Sequence, residues 1–407
     1  VTRNQRPAAG PATADSQPGQ PDLTRSSPFI AFAIAAFLSG ANLRLFDSLL
    51  PSVAADFAVD PTTVGIVVTA FTLAYGLFQI VYGPLGDRLG KMRVSAVATI
   101  FAALACLGAG YAPSVRALAV LRFLTGMGIA AVIPMALAWI GDKSVYAQRQ
   151  ATLGRFVGFL LLGQVMGPAL GGVLSQLLSW RGVLRGLAVA FLLVGIVLLL
   201  EDRKQRSLAA EPAGGGNVLR GYLNLLAQGW VRTVLITIFI EGALFFGTFA
   251  YLGAFLKSRF GISLALTGII LACYGIGGFV YSLTVKKLLA RLGEAGFVRL
   301  AGTILLLCFA AMPWLPIWGL AFPLLLVTGF GLYMLHNTLQ TKATEMAPGA
   351  RGTAIALFAF ALFLGQAFGT SMAGLAIRAA GYPVVFTVVG VLLLILARWF
   401  GARLSSH

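Results

Sequence analysis

The chain has 407 residues, 58% of them hydrophobic and 11% charged. Its mean hydropathy of +0.89 excludes an ordinary soluble domain, in which roughly half of the residues are apolar and a quarter charged. A formal net charge of +17 would suit nucleic acid, but basic blocks set between apolar stretches mark the cytoplasmic face of a membrane protein.

From the N-terminus, residues 1–27 are rich in Pro, Ala, Gln and Ser and lack the apolar centre of a signal peptide, which predicts a disordered cytosolic tail. Apolar stretches follow near 28–50, 62–83, 94–112, 115–140, 153–175, 183–200, 229–252, 265–285, 297–314, 319–341, 352–377 and 383–400. They number about twelve, each near the ~20 residues that cross a ~30 Å hydrocarbon core. Helices are predicted, because a backbone in lipid must satisfy its own hydrogen bonds and nothing alternates like barrel strands. With the N-terminus inside, Arg88, Lys91, Arg93, Lys143, Arg149, Arg155, Arg203, Lys204, Arg206, Arg220, Lys286, Lys287, Arg291, Lys342 and Arg351 fall on one side. Only Arg116, Arg181, Arg185, Lys257, Arg259 and Arg378 fall on the other, which puts both termini in the cytoplasm and removes the need for a nucleic-acid partner. The six Trp residues lie near span ends, as an interfacial belt would. Cys106, Cys273 and Cys308 lie inside spans at no metal-ligand spacing and read as small buried residues.

Ionisable and polar residues inside the spans are the functional candidates, since a charge at the centre of a membrane helix costs roughly 2.5–3.5 kcal/mol on insertion. In the first span, "NLRLFDSLLP" sets Arg44 and Asp47 one helical turn apart on one face, ahead of Pro51. Tyr75 and Gln79 share a face of the second span, and Arg122 lies in the fourth. Counting ~1.5 Å per residue from the external ends, Arg44, Asp47 and Arg122 share the outer half of the membrane, where a three-member network is expected. Glu241 stands near the middle of the seventh span with no basic residue within two turns along the chain. His336 lies in the tenth beside Asn337 and Gln340. Each admits two readings. Arg44 and Asp47 form a static ion pair or a proton carrier set between desolvation and the charge of Arg122. Glu241 is a cation or second proton site, or a buried structural acid. His336 reads as a helix-packing residue more readily than as a proton relay. Tyr75, Gln79, Gln164, Asn337, Gln340 and Gln366 line a substrate cavity or bond between helices.

The chain also repeats itself. "LGQVMGPALGG" (162–172) returns as "LGQAFGTSMAG" (364–374), an offset of 202 residues that also pairs Arg149 with Arg351 and Phe156 with Phe358. "FAVDPTTVGIVVTAF" from Phe57 matches "FGISLALTGIILACY" from Phe260 at an offset of 203. A duplicated six-helix unit is expected, an architecture of secondary transporters with a central site between rocking halves. The N-terminal bundle would span 28–200 and the C-terminal bundle 229–400, ahead of a cytosolic tail at 401–407. Between the bundles, 201–228 reads as a cytosolic linker ending in a short helix on the membrane surface.

"GPLGDRLGKMR", from Gly83 to Arg93, resembles the loop signature of the major facilitator superfamily. Gly83, Gly86 and Gly90 permit a tight turn. The resemblance implies that Asp87 braces the start of the eleventh span near Gly352, that Arg88 and Arg93 join a cytosolic charge network, and that Asp142 partners Arg93. Gly154, Gly163, Gly167, Pro168, Gly171 and Gly172 reproduce the antiporter signature of drug:proton exporters in that superfamily, with Pro168 as a bend that only one half carries. "VLRFLTGMG" (120–128) is similar to their fourth-span motif and makes Arg122 a participant in proton transfer. Asp47, four residues before Pro51, resembles their first-span acid.

The expectation is therefore an all-α membrane protein of the major facilitator fold, twelve helices in two six-helix repeats, lying multi-pass in the cell inner membrane as a monomer. It would export small amphipathic or cationic molecules in exchange for protons. A defined metabolite such as a sugar or amino acid is the alternative cargo, and a non-transporting sensor is the alternative class. With no Walker loop, metal-ligand cluster or nucleophile motif in the sequence, no cofactor or enzymatic activity is expected.

Overall fold

A computed structural model describes residues 23–144, 146–206, 218–347 and 351–404. The described residues are predominantly helical, with short connections and no strand. Among the described residues, the first helical turn is Leu23–Arg25, ahead of residue 28 where the sequence predicts the first span. Residues 1–22 of the expected tail, 207–217 of the expected linker and 405–407 of the C-terminal tail lie outside the described residues.

Helices α1 (Ser27–Arg44) and α2 (Phe46–Asp56) run on through Leu45, which keeps helical dihedrals. They are followed by α3 (Pro61–Leu89), α4 (Lys91–Ala109), α5 (Val115–Ile129), α6 (Val132–Lys143) and α7 (Tyr146–Arg206). The remainder comprises α8 (Val218–Leu226), α9 (Gly229–Glu241), a π-helical turn (Gly242–Phe246), α10 (Gly247–Phe249), α11 (Leu252–Phe260), α12 (Leu264–Ala311), α13 (Ala321–Glu345) and α14 (Arg351–Leu404). Their starts follow from local chemistry. Ser26, Asp60, Ser114 and Ser263 each accept a first-turn N–H, and Pro28 and Pro61 occupy first-turn positions where no donor is needed.

Nine helical runs among the described residues are long and apolar enough to cross a membrane. Three of them extend over 58, 51 and 53 residues, far beyond the ~20 that a bilayer requires. Each is broken once, at Ser179 (φ 58°), Gly293 (φ 64°) and Gly381 (φ 77°). These breaks fall in the intervals that the sequence leaves between its predicted spans.

Close helix packing is carried by glycines. A Cβ at Gly163 would lie 2.0 Å from the Phe37 carbonyl, and one at Gly167 2.6 Å from that of Ala41, so α7 lies directly on α1. In the other half, Gly365 meets the Phe239 carbonyl at 2.1 Å and Gly369 that of Ala243 at 2.0 Å, setting α14 on α9 and the π turn. Gly40 against Leu160 and Gly242 against Leu362 complete the pattern. Every member of one set stands 202 residues from its counterpart. Small residues permit such approach, and in lipid, where burial of apolar surface does not drive association, close van der Waals contact does.

A seam joins the two groups of helices. Gly268 of α12 lies on the Pro168 carbonyl and Gly172 of α7 on that of Leu264. Thr69 and Ser371 hydroxyls are 3.1 Å apart, and Arg378 donates to Thr62 Oγ1 at 2.6 Å and Thr63 Oγ1 at 3.1 Å. These contacts cluster toward the end of the bundle that carries Asp56 and its ion pair with Arg181 at 2.7 Å. Toward the other end, Gly83, Gly154 and Gly158 have no atom within 4 Å of where a Cβ would stand.

Candidate functional site

The junction of α1 and α2 delivers two charges to the seam. Because the helix runs through Leu45, Arg44 and Asp47 share a face, and Nη1 lies 3.7 Å from Oδ2 with both side chains almost wholly buried. This separation is an ion pair but not a hydrogen bond. Neither carboxylate oxygen of Asp47 has a hydrogen-bond partner, nor do Nε and Nη1 of Arg44. The guanidinium lies instead across the seam, its carbon 4.2 Å from the centre of the Phe246 ring and 5.9 Å from that of Phe249. The backbone of Asp47 is at the seam as well, since a Cβ at Gly253 would stand 2.1 Å from its carbonyl oxygen.

Arg122 of α5 is buried nearby but turns to a different partner. Nη1 donates to Asn42 Oδ1 at 2.5 Å and Nη2 to the Asn42 carbonyl at 3.3 Å. Its flat cation sits between Phe71 and Phe46, 4.0 and 4.5 Å from the ring centres. The expected network of Arg44, Asp47 and Arg122 is thus divided into a loose pair and a separate arginine held by Asn42. Asn42 lies within the motif that drew attention to Arg44, yet charge alone did not single it out.

Glu241 is not isolated in space. At the end of α9 its Oε2 lies 2.9 Å from Nδ1 of His336 on α13, while Oε1 has no partner. His336 stands between Phe246 and Phe358, with ring centres 6.1 and 5.9 Å away. Of the expected cavity residues, Tyr75 is buried, 3.4 Å from Ser39 Oγ and edge-on to Phe363 across the seam at 4.7 Å. Gln79 is buried, Gln164 and Asn337 are half-buried and Gln340 is exposed. The backbones of Gln164 and Gln366 abut Gly40 and Gly242, and the buried amide of Gln366 has no partner. A separate cavity of about 680 Å³ opens at the Asp56 end, lined by Thr62, Arg116, Tyr251 and Arg378 among others.

At the opposite end, Asp142 pairs with Lys91, which corrects the expected partnership with Arg93; Lys91 opens α4, while Arg93 points outward and is exposed. Arg88 is exposed too. Asp87 is exposed and makes no hydrogen bond or ion pair with another described residue. Gly90 adopts φ 94°, a value that explains its place in the loop, and Gly86 admits the Met135 thioether where a Cβ would clash. On α7 the helix continues through Pro168, whose carbonyl accepts from Ser48 Oγ at 2.8 Å. Gly163, Gly167, Gly171 and Gly172 all meet neighbouring backbone, whereas Gly154 meets nothing within 4 Å.

Residues 32–370 match the family model of the Major Facilitator Superfamily. The multidrug efflux protein YfmO of Bacillus subtilis is 26% identical over 92% of both chains. The uncharacterized MFS-type transporter YceJ of the same organism is 26% identical over 84% of this chain and 87% of its own. Puromycin resistance protein pur8 of Streptomyces alboniger is 31% identical over 56% of this chain and 48% of its own. Among solved structures, a bacterial homolog of the human lysosomal transporter Spinster, inward-facing and unoccupied, superposes with a TM-score of 0.77 at 17% identity, over 94% of this chain and 96% of that one. With a family match across most of the chain and a fold to suit it, this multi-pass membrane protein belongs to the Major Facilitator Superfamily of transporters.

Proposed function

We propose that the protein is a proton-coupled antiporter that exports small amphipathic or cationic compounds by alternating access. In this reading the chain forms twelve spans, the three long helices each contributing two, arranged as duplicated six-helix units over 28–200 and 229–400. The linker and both termini lie in the cytoplasm of a cell whose inner membrane holds the protein, and one chain is sufficient.

The observation that carries the reading is the position of Asp47. It is a fully buried acid whose carboxylate oxygens have no hydrogen bond and whose own backbone touches Gly253 across the seam. A buried charge left loosely paired is poised to change protonation or partner. A change at Asp47 would alter the ion pair with Arg44, and Arg44 is seated on Phe246 of the other half. Proton binding and movement of the halves therefore share one element, as an exchange mechanism requires. The Asp56 end, by the distribution of basic residues, faces outward, and the contacts of Thr69 with Ser371 and of Arg378 with Thr62 join the two groups of helices there. The likeness to a multidrug efflux protein over nearly the whole of both chains supports export of drugs over export of a metabolite.

Everted vesicles with an acid interior test the proposal. A pH-sensitive dye is followed while lipophilic cations, neutral drugs, sugars and amino acids are added in turn. Proton efflux triggered by the cations and lost in Asp47→Asn is the expected result. A response to sugars or amino acids alone would reassign the cargo, and silence towards every class would sink the antiport reading.

A further inference from the structure

The rings that receive Arg44 form a site of their own. Phe246 closes the π-helical turn Gly242–Phe246, and Phe249 follows on α10. Tyr274 of α12 stands edge-on to Phe249 at 5.0 Å, and the His336 ring stands edge-on to Phe246, with its Nδ1 bonded to Glu241. Stacked and edge-on aromatic faces backed by a carboxylate are the chemistry that recognises a flat or quaternary cation. A π-helical turn within an α-helix is rare and is frequently found at functional sites. His336, with 17% of its side chain exposed, and half-buried Asn337 mark the approach from the helix α13.

Arg44 is weakly tied to this site. Its Nε and Nη1 have no hydrogen bond, and its ion pair with Asp47 is long at 3.7 Å. Departure of the guanidinium from the rings would therefore sacrifice few directed contacts. We infer that Phe246 and Phe249, with Tyr274 and Glu241 behind them, bind the cationic head of the transported compound, and that Arg44, seated on the same rings, is its tethered competitor. The cargo enters by displacing a cation of the protein's own, and the freed guanidinium is left with Asp47 as its partner. This inference rests on the cationic cargo proposed above.

Equilibrium binding of tetraphenylphosphonium to the purified full-length protein in detergent separates the two ideas, because binding needs no proton gradient. Removing the competitor in Arg44→Gln should tighten binding about tenfold, the scale of a desolvated cation–aromatic contact. Adding Phe246→Leu to that variant should erase the gain. Arg44→Gln/Asp47→Asn, which leaves no unpaired carboxylate, carries the test if the single variant does not remain monodisperse. Unchanged or weaker binding on loss of Arg44 overturns the inference while leaving a cationic cargo intact. A gain that survives Phe246→Leu also overturns it, because it would reflect only one positive charge fewer. Binding by none of the variants or the parent overturns the cationic cargo and the inference together.

Discussion

Glu241 and His336, 95 residues apart in the chain, meet at 2.9 Å inside the second group of helices. Glu241 is fully buried, and its second oxygen has no partner, so the pair is incomplete. Replacing His336 by Ala leaves the carboxyl without its single bond and should destabilise the detergent-solubilised protein by ~1–3 kcal/mol. His336→Gln retains a donor and should recover much of that loss. Thermal unfolding of the two variants side by side checks this, and equal Tm values would show that the bond contributes nothing.

Glu241→Gln keeps a side chain of the same shape that can still bond to His336. The fold should survive, while transport of lipophilic cations should fall about tenfold, or ~1.4 kcal/mol of lost recognition. Neutral cargo should move at the original rate. Initial rates for one cation and one neutral compound in vesicles distinguish this from a structural acid, which would leave both rates unchanged.

The hydroxyls of Thr69 and Ser371 lie 3.1 Å apart across the seam. Thr69→Cys with Ser371→Cys should form a disulfide under mild oxidation that holds the Asp56 end closed. Transport should then cease and return on reduction. Cys106, Cys273 and Cys308 are buried and should not compete for the new thiols. Undiminished transport by fully cross-linked protein would show that this seam need not open.

Asp87 is exposed and without a partner among the described residues. Asp87→Asn should therefore shift the stability of this structure by less than ~0.5 kcal/mol, yet slow transport, because the resemblance that drew attention to the loop implies a brace between Asp87 and the start of the eleventh span that is not made among the described residues. Tm and initial rate measured on the same preparation test the contrast. A fall in both would place Asp87 in a contact of the present state.

Much of this was legible in the sequence, and the limits were physical. Spans are written in runs of apolar residues, so the breaks at Ser179, Gly293 and Gly381 fall between predicted spans. The Arg44–Asp47 pair was legible because three residues along a helix bring side chains onto one face. Contacts between helices were not. Asn42 is 80 residues from Arg122, and the isolation of Glu241 was measured along the chain alone. The exchange of Lys91 for Arg93 as partner of Asp142 turns on which face of α4 looks toward α6, and both basic residues lie in its first turn. Phe246 and Phe249 escaped notice because phenylalanine in an apolar span looks like lipid contact or core until a guanidinium is found above it.

The π-helical turn also explains a discrepancy in the repeat. Gly40 and Ala41 match Gly242 and Ala243 at an offset of 202, whereas Phe57 matches Phe260 at 203. One copy has gained a residue between these points, and the turn at Gly242–Phe246 is where the helix accommodates it. Beyond the turn the packing of the two copies still corresponds, since Ser48 donates to the Pro168 carbonyl and Tyr251, 203 residues further on, donates to the Thr370 carbonyl, 202 residues beyond Pro168. The extra residue is thus taken up within a single turn, and the two copies keep one packing scheme while the side chains they present to each other differ, a guanidinium from one half resting on rings from the other.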